Sequence, residues 1–366
     1  MKSSDQNFKK RDGAAISGAC GFHNAGDDAV LLAMLEQLKQ TDPALPVRVF
    51  SRDPAATKAE CGAEAVPMFD LPQLWQVLRK SRLLLSGGGS LLQNATSGRS
   101  LCYYLAVILM AKCAGCRVML YGCGIGPIRG TLSGFLTAGI LNACADCITL
   151  RDSGSLRLLQ KLGVRRPMHL TADPALTVRP DDAAAAAYFR ENSLDPAGNY
   201  ALFCLRPWKN AGENRETFHR AAAHVWRAFG LMPVFLPLCP ESDGEFAEKL
   251  AKGLEVPHIR LPGCGKPETL CGVIGRMRLV VSMRLHGLIF ACSRRIPHVG
   301  IAYDPKVSGF LEDTGNPNWV ALTALTAGTL CACIDHAMQS PVPDPENWKK
   351  KAEENGSFAA ELLKRT

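Results

Sequence analysis

A chain of 366 residues, 47% hydrophobic and 21% charged, carries enough apolar material for two cores rather than one. Its net charge of +8 shows no long Lys/Arg stripe, which argues against a nucleic-acid partner and suits phosphorylated or carboxylated small molecules. The longest apolar run, Leu105 to Ala111, is too short to span a bilayer, and the polar start MKSSDQNFKK does not read as a signal peptide, so the expected location is the cytoplasm.

In chain order, short apolar strands alternate with helical patterns. AAISGACG leads into DAVLLAMLEQLKQ, PVRVFSR into a helix-rich patch, and SRLLLSGGG into SLCYYLAVILMAKCAG, with a helix expected from about Ser90. RVMLYGCGIGP, GFLTAGILNACADCITL and RDSGSLRLLQKLG continue the alternation. Strands of about five residues with helices between them predict βαβ units and a parallel sheet covered on both faces. The second half repeats this with NYALFCLRP, MPVFLPL, HIRL, RLVVSM and HVGIAY. The expected fold class is therefore α/β, with two Rossmann-like domains facing a central cleft: residues 1–178, residues 179–345, and a C-terminal helix over 346–366 that packs back on the first domain. That helix carries four lysines, which suit either a solvated face or peripheral contact with a membrane.

Fifteen cysteines include two C-x-x-C pairs, Cys113/Cys116 and Cys144/Cys147. The spacing occurs in zinc sites, but both pairs fall at strand edges, and scattered cysteines otherwise behave as small apolar residues. No metal is expected.

Ligands of open α/β sheets bind beyond the carboxyl ends of the strands. Residues 21–28 (GFHNAGDD) follow the first strand, and Gly87, Gly88 and Gly89 follow LLL. Arg151 follows ITL, Arg206 follows LFC, and Arg284 and His286 follow VVS, on a short apolar helix opened by Ser282. Glycine tips beside isolated Arg and His residues suit an anion. Each residue also has a plainer explanation. Glycines turn the chain, Asn24, Asp27 and Asp28 cap helices, Arg151 pairs with Asp152, and a lone histidine sits in a core. GGGS lacks the lysine of a P-loop, and GCGIGP lacks the spacing of a dinucleotide fingerprint.

As an ordered set, SGACGFHNAGDDAVL, LLLSGGGSLLQN, YGCGIGP, ITLRDSGS, TADPAL, LRPW, SMRLHGLIFA and IAYDPKVSGFLEDTG resemble the polysaccharide pyruvyl transferase family, of the CsaB type, over residues 17 to 315. The resemblance implies a fold like the GT-B glycosyltransferases. It also implies transfer of pyruvate from phosphoenolpyruvate to N-acetylmannosamine of a secondary cell-wall polysaccharide precursor, as a 4,6-linked cyclic ketal that anchors surface-layer proteins. Arg151, His286 and Lys306 match the family's donor-handling positions. Ala19, Cys20 and Cys123 depart from the family's aromatic and glutamine residues, on the side expected for the acceptor.

This chemistry needs two anionic groups held and protons moved. The expectations are Arg151 and Lys306 on the leaving phosphate and His286 as general acid or phosphate ligand. Asp27 or Asp28 is the base, with Arg284, Arg206 and Ser282 on the donor side. Asn24, Gly87, Gly88, Gly89, Gln93 and Asn94 are expected toward a glycan or lipid-linked glycan acceptor. No cofactor is needed beyond phosphoenolpyruvate as donor substrate. A nucleotide-sugar glycosyltransferase and a non-catalytic sugar-phosphate binding protein are the alternatives.

Overall fold

A computed structural model of the chain describes residues 11–95, 98–208 and 214–364. The first lobe runs β1 (Gly13–Cys20), α1 (Ala25–Thr41), β2 (Val47–Ser51), α2 (Pro54–Cys61), β3 (Glu64–Pro67), α3 (Leu71–Lys80) and β4 (Ser81–Gly87). It continues with α4 (Gly98–Cys113), β5 (Arg117–Cys123), α5 (Thr131–Cys144), β6 (Cys147–Leu150), α6 (Ser153–Lys161) and β7 (Met168–Leu170). After a 3-10 turn at Pro174–Thr177 come α7 (Asp182–Glu191), β8 (Tyr200–Cys204), α8 (Arg215–Phe229), β9 (Met232–Phe235), α9 (Pro240–Ala251), β10 (Ile259–Arg260) and α10 (Pro267–Ile274). The chain closes with β11 (Leu279–Ser282), α11 (Leu285–Ser293), β12 (His298–Ala302), α12 (Pro305–Asp313), β13 (Trp319–Ala321), α13 (Ala327–Gln339) and α14 (Glu346–Lys364).

Both sheets are parallel throughout, in the orders β3-β2-β1-β4-β5-β6-β7 and β10-β9-β8-β11-β12-β13. Each order reverses once, between β1 and β4 and between β8 and β11. These are the switch points where crevices open at the carboxyl ends of strands. The central strands are buried on both faces, which explains their unbroken apolar sequence. Strand-to-helix turns close on Asx caps: Asn24 on α1, Asp152 on α6 and Asp304 on α12. One apolar cluster joins the lobes, running from Val30 and Met34 of α1 through Leu176 to Phe290 of α11.

The α/β, two-Rossmann expectation describes this architecture. Two local expectations change. Helix α4 begins at Gly98, not near Ser90. After the positive-φ turn at Gly88 and Gly89, Leu91 and Leu92 are buried in the core, and Leu92 bridges Ile125, which holds the segment as a loop. Strands β3, β7 and β13 had no counterpart among the predicted strands. Each is an edge strand of only three or four residues.

The last helix returns to the first lobe, packing on α1, β4 and β5. Its fully buried Asn355 donates to the carbonyls of Ala172 and Ala352 and accepts from the Thr171 hydroxyl, so the polar residue in that apolar seam is satisfied.

Candidate active site

The first turn of α1 opens at the carboxyl end of β1. Asn24 sits in extended backbone as its cap, accepting from Gly26 N at 3.3 Å and donating to Asp27 Oδ2 at 2.6 Å. The surface of Asp27 is only partly covered, but protein encloses it on the longer scale that governs ion hydration. That desolvation pushes its carboxyl up to about 6, against the opposing pull of Lys306, Arg151 and the Asn24 bond. Asp28 is pushed up to about 7 by burial and by Asp27 and Glu60.

Gly89, at φ +86°, lies directly over Asp27, and an added Cβ would fall 2.6 Å from Oδ1. Its neighbour Gly88 has φ +94°, and Gly87 ends β4 against the Tyr121 carbonyl. The triple glycine therefore serves both uses at once: it turns the chain and admits the backbone to the carboxylate.

Arg151 leaves β6 already buried. Its Nη1 donates to Asp173 Oδ2 at 2.8 Å, its Nη2 donates to Ser90 Oγ at 3.1 Å, and Asp152 lies 3.7 Å from Nε. Burial works against the guanidinium charge, but Asp173 and Asp152 outweigh it and the net shift is upward. Gly124 gives the guanidinium room, since a Cβ there would stand 2.7 Å from Nε.

From the second lobe, His286 enters on the first turn of α11. Its Nε2 is 4.0 Å from Asp173 Oδ2 and has no hydrogen-bond partner, and its Nδ1 side lies against Gly26. Burial pushes its pKa down to about 4; Asp173 opposes this, while Arg151, Lys306 and Arg284 add to it. The imidazole is therefore neutral at pH 7, which removes it as a strong general acid in the unliganded protein and leaves it as a hydrogen-bond donor or acceptor.

Lys306, on the first turn of α12, carries the largest favourable charge on Asp27, and among the described residues no carboxylate forms an ion pair with it. Its Nζ stands 5.8 Å from the centroid of Tyr303. Arg206 donates to the Tyr303 hydroxyl at 2.9 Å and lies 5.0 Å from the same ring's centroid, with Trp208 packed beside it. Arg151 from the first lobe and Lys306 from the second thus act together on Asp27.

Other predicted residues have structural duties. Arg284 closes its fork on buried Asp243 and on Ser242, so its charge is already neutralised within the second lobe. Ser282 donates to the Arg284 carbonyl at 2.7 Å. Both ends of the Asn94 amide are engaged: it accepts from Arg129 N and donates to the Arg129 carbonyl and Ser133 Oγ, bracing the start of α5 rather than facing a ligand. The Gln93 side-chain oxygen accepts from Ala95 N.

Sequence reasoning passed over three residues. Asp173 joins Arg151 to His286 and caps the 3-10 turn, and the Asp-Pro of TADPAL was its only signal. Gly26 had none. Asp313, at the end of α12, accepts from both N and Oγ of Ser153 at the start of α6, at 2.8 and 2.7 Å. One helix of the second lobe thus bears Lys306 at one end and grips the helix that follows Arg151 with the other. Asp313→Ala should raise KM at least fivefold through looser lobe registry while lowering kcat less; unchanged steady-state constants would show that the grip is dispensable.

Among the described residues, no three His, Cys, Asp or Glu side chains come together to hold a metal. Of the C-x-x-C cysteines, Cys116 donates to the Leu78 and Ser81 carbonyls, and Cys144 and Cys147 are buried in the first lobe's core. Among the described residues no helix is long and apolar enough to cross a membrane.

Two parallel-sheet lobes with a charged cleft between their strand ends define a GT-B-like protein. Solved structures similar in fold include UDP-GlcNAc 2-epimerase from Methanocaldococcus jannaschii, with TM-score 0.65 at 13% identity, covering 95% of this chain and 99% of that one. They also include S. aureus MnaA in a structure with UDP, with TM-score 0.63 at 13% identity over 95% and 94%, and Anabaena HepE with UDP and glucose, with TM-score 0.61 at 11% identity over 97% and 100%. At such identity these likenesses speak for the fold alone. No protein of curated function matches the chain.

The model of one family, polysaccharide pyruvyl transferase, matches residues 24–305, which run from the cap of α1 to the start of α12. This chain belongs to the polysaccharide pyruvyl transferase family.

Proposed function

We propose that the chain transfers pyruvate from phosphoenolpyruvate to a sugar of a lipid-linked cell-wall polysaccharide precursor, with N-acetylmannosamine as the sugar and a 4,6-cyclic ketal as the product. The observation that carries this reading is Asp27. A carboxyl held near neutrality stands in the same cleft as Arg151 and Lys306, so a proton donor and acceptor lies beside anion-binding cations.

In this scheme, protonated Asp27 delivers its proton to the methylene carbon of phosphoenolpyruvate as the first sugar hydroxyl bonds to C2. The Asp27 carboxylate takes that hydroxyl's proton and is restored. The C2–O bond to phosphate then breaks, the second hydroxyl bonds to C2, and its proton leaves on the phosphate. Arg151 and Lys306 offset charge on the departing phosphate, an electrostatic contribution of about 3 kcal/mol per group. Neutral His286 donates from Nε2 to a phosphate oxygen, so of its two expected roles the scheme keeps phosphate ligand.

The test is release of inorganic phosphate from phosphoenolpyruvate across a panel of acceptor sugars. One phosphate per ketal is expected, dependent on acceptor. No release with any acceptor, together with thermal protection by a UDP-sugar but not by phosphoenolpyruvate, would replace the reading with glycosyl transfer.

A further inference from the structure

Helix α5 is apolar on the wrong side. Its inward residues, among them Ala138 and Leu141, fill the core as expected, yet Leu132, Phe135 and Leu136 face solvent at 70%, 73% and 45% exposure. Their i, i+3, i+4 spacing makes one stripe. Helix α4 packs alongside α5 and adds Ala106 and Leu109 to the outer surface, the latter 46% exposed. An exposed apolar stripe such as that on α5 marks an interaction surface.

The surrounding charge says what the surface meets. Residues 71–172 contain twelve lysines and arginines against two acids, Asp146 and Asp152, so this stretch is net +10 and the remainder of the chain is net −2. Asp146 is paired with Lys112, and Asp152 caps α6. Arg129 stands just before α5. Arg165 and Arg166 are tied to its far end through Asn142, where a shallow cavity is lined by Asn142, Gly163 and both arginines. No ion pair to Arg129, Arg165 or Arg166 is formed among the described residues.

We propose that the outer face of α4 and α5 docks this chain on an anionic phospholipid bilayer, with the apolar stripe entering the headgroup layer and the arginine rim meeting lipid phosphates. An apolar face rimmed by arginine is the pattern of interfacial helices. A second copy fits less well, because a twofold contact would bring two like-charged rims together. The start of α5, where the apolar stripe begins, lies at the cleft end of its lobe. The loop from Gly124 to Gly130 passes Arg151 before entering α5, and Asn94 ties Arg129 to the segment after the glycine turn. Docking there brings the mouth of the site to the membrane surface.

The test is co-sedimentation of the full chain, without substrates, with vesicles of phosphatidylglycerol and phosphatidylcholine. The chain should pellet with phosphatidylglycerol vesicles in about 0.1 M NaCl and bind at least tenfold more weakly in about 0.5 M. The double variant Phe135→Asp/Leu136→Asp should lose binding at least tenfold with an unchanged melting temperature. Should that variant fold poorly, Arg129→Glu/Arg165→Glu should show the same loss. Absence of vesicle binding by the parent chain, or equal binding by a folded variant, overturns the proposal. So does light scattering that shows a dimer dissociated by Phe135→Asp, which would assign the face to a second copy. Because the assay contains no donor or acceptor, its outcome is separable from that of the phosphate-release test.

Discussion

Asp27→Asn should give a protein that melts higher than the parent at pH 8 and transfers pyruvate far more slowly. The carboxyl is raised from 3.8 to about 6 by desolvation. A carboxyl whose folded pKa lies above its unfolded value binds its proton more tightly in the native state. Stability therefore falls as pH rises between the two values, and the full cost of holding the anion is present above about pH 6. The shift corresponds to about 2 kcal/mol after discounting for partial exposure, worth a few degrees of melting temperature. Asparagine keeps the size and an oxygen for Asn24 without the charge. The advantage should grow from pH 4 to pH 6 and level off beyond. Turnover should drop by about 10²–10⁴, the usual worth of a positioned proton-transfer group. Lower stability at pH 8 would remove the desolvation cost assigned to Asp27, and phosphate release at a tenth of the parental rate would remove Asp27 from the chemistry.

Gly26→Ala should cripple the enzyme although helix propensity favours it. In an open helical position the change would gain up to about 1 kcal/mol. At Gly26 the new Cβ would land inside the His286 ring, 2.6 Å from Cε1 and closer still to Nδ1. Helix α1 belongs to the first lobe and α11 to the second, so either the ring leaves the cleft or the lobes part. A net loss of about 1–3 kcal/mol is expected from overpacking, and at least a hundredfold loss in kcat/KM from displaced groups. Gly139→Ala on the open face of α5, where nothing lies within 4 Å, is the control and should be neutral or mildly stabilising. Adding His286→Ala to Gly26→Ala should restore stability but not activity, a coupling readable in a double-mutant cycle. Wild-type rates in the single variant would mean that the lobes do not meet through this contact during turnover.

These two results separate what one strand of sequence can declare from what only packing creates. The alternation of apolar strands and helices, the Asx residues opening α1, α6 and α12, and the polar residues directly after β1, β6 and β11 were all legible. Each depends on local periodicity or on the geometry of a single turn. That Arg151 and His286 stand at strand ends was legible for the same reason. Their partners were not. Asp173 binds Arg151 from 22 residues away, and Asp313 holds Ser153 from 160 residues away; nothing local in the sequence pairs them.

Arg284 shows the opposite case. In sequence it stood beyond a strand end as Arg151 does, but its fork closes on Asp243 of α9 and on Ser242. Asn94 looked like a sugar contact, but it braces Arg129 and the start of α5. Residue types and strand ends, set by local backbone preference and the unbroken apolar runs of strands buried on both faces, were the sequence's own doing. Which charges stay available, which carboxyl loses its water and which glycine must be glycine were decided only when two lobes closed on one another, because desolvation and steric exclusion depend on neighbours far apart in the chain.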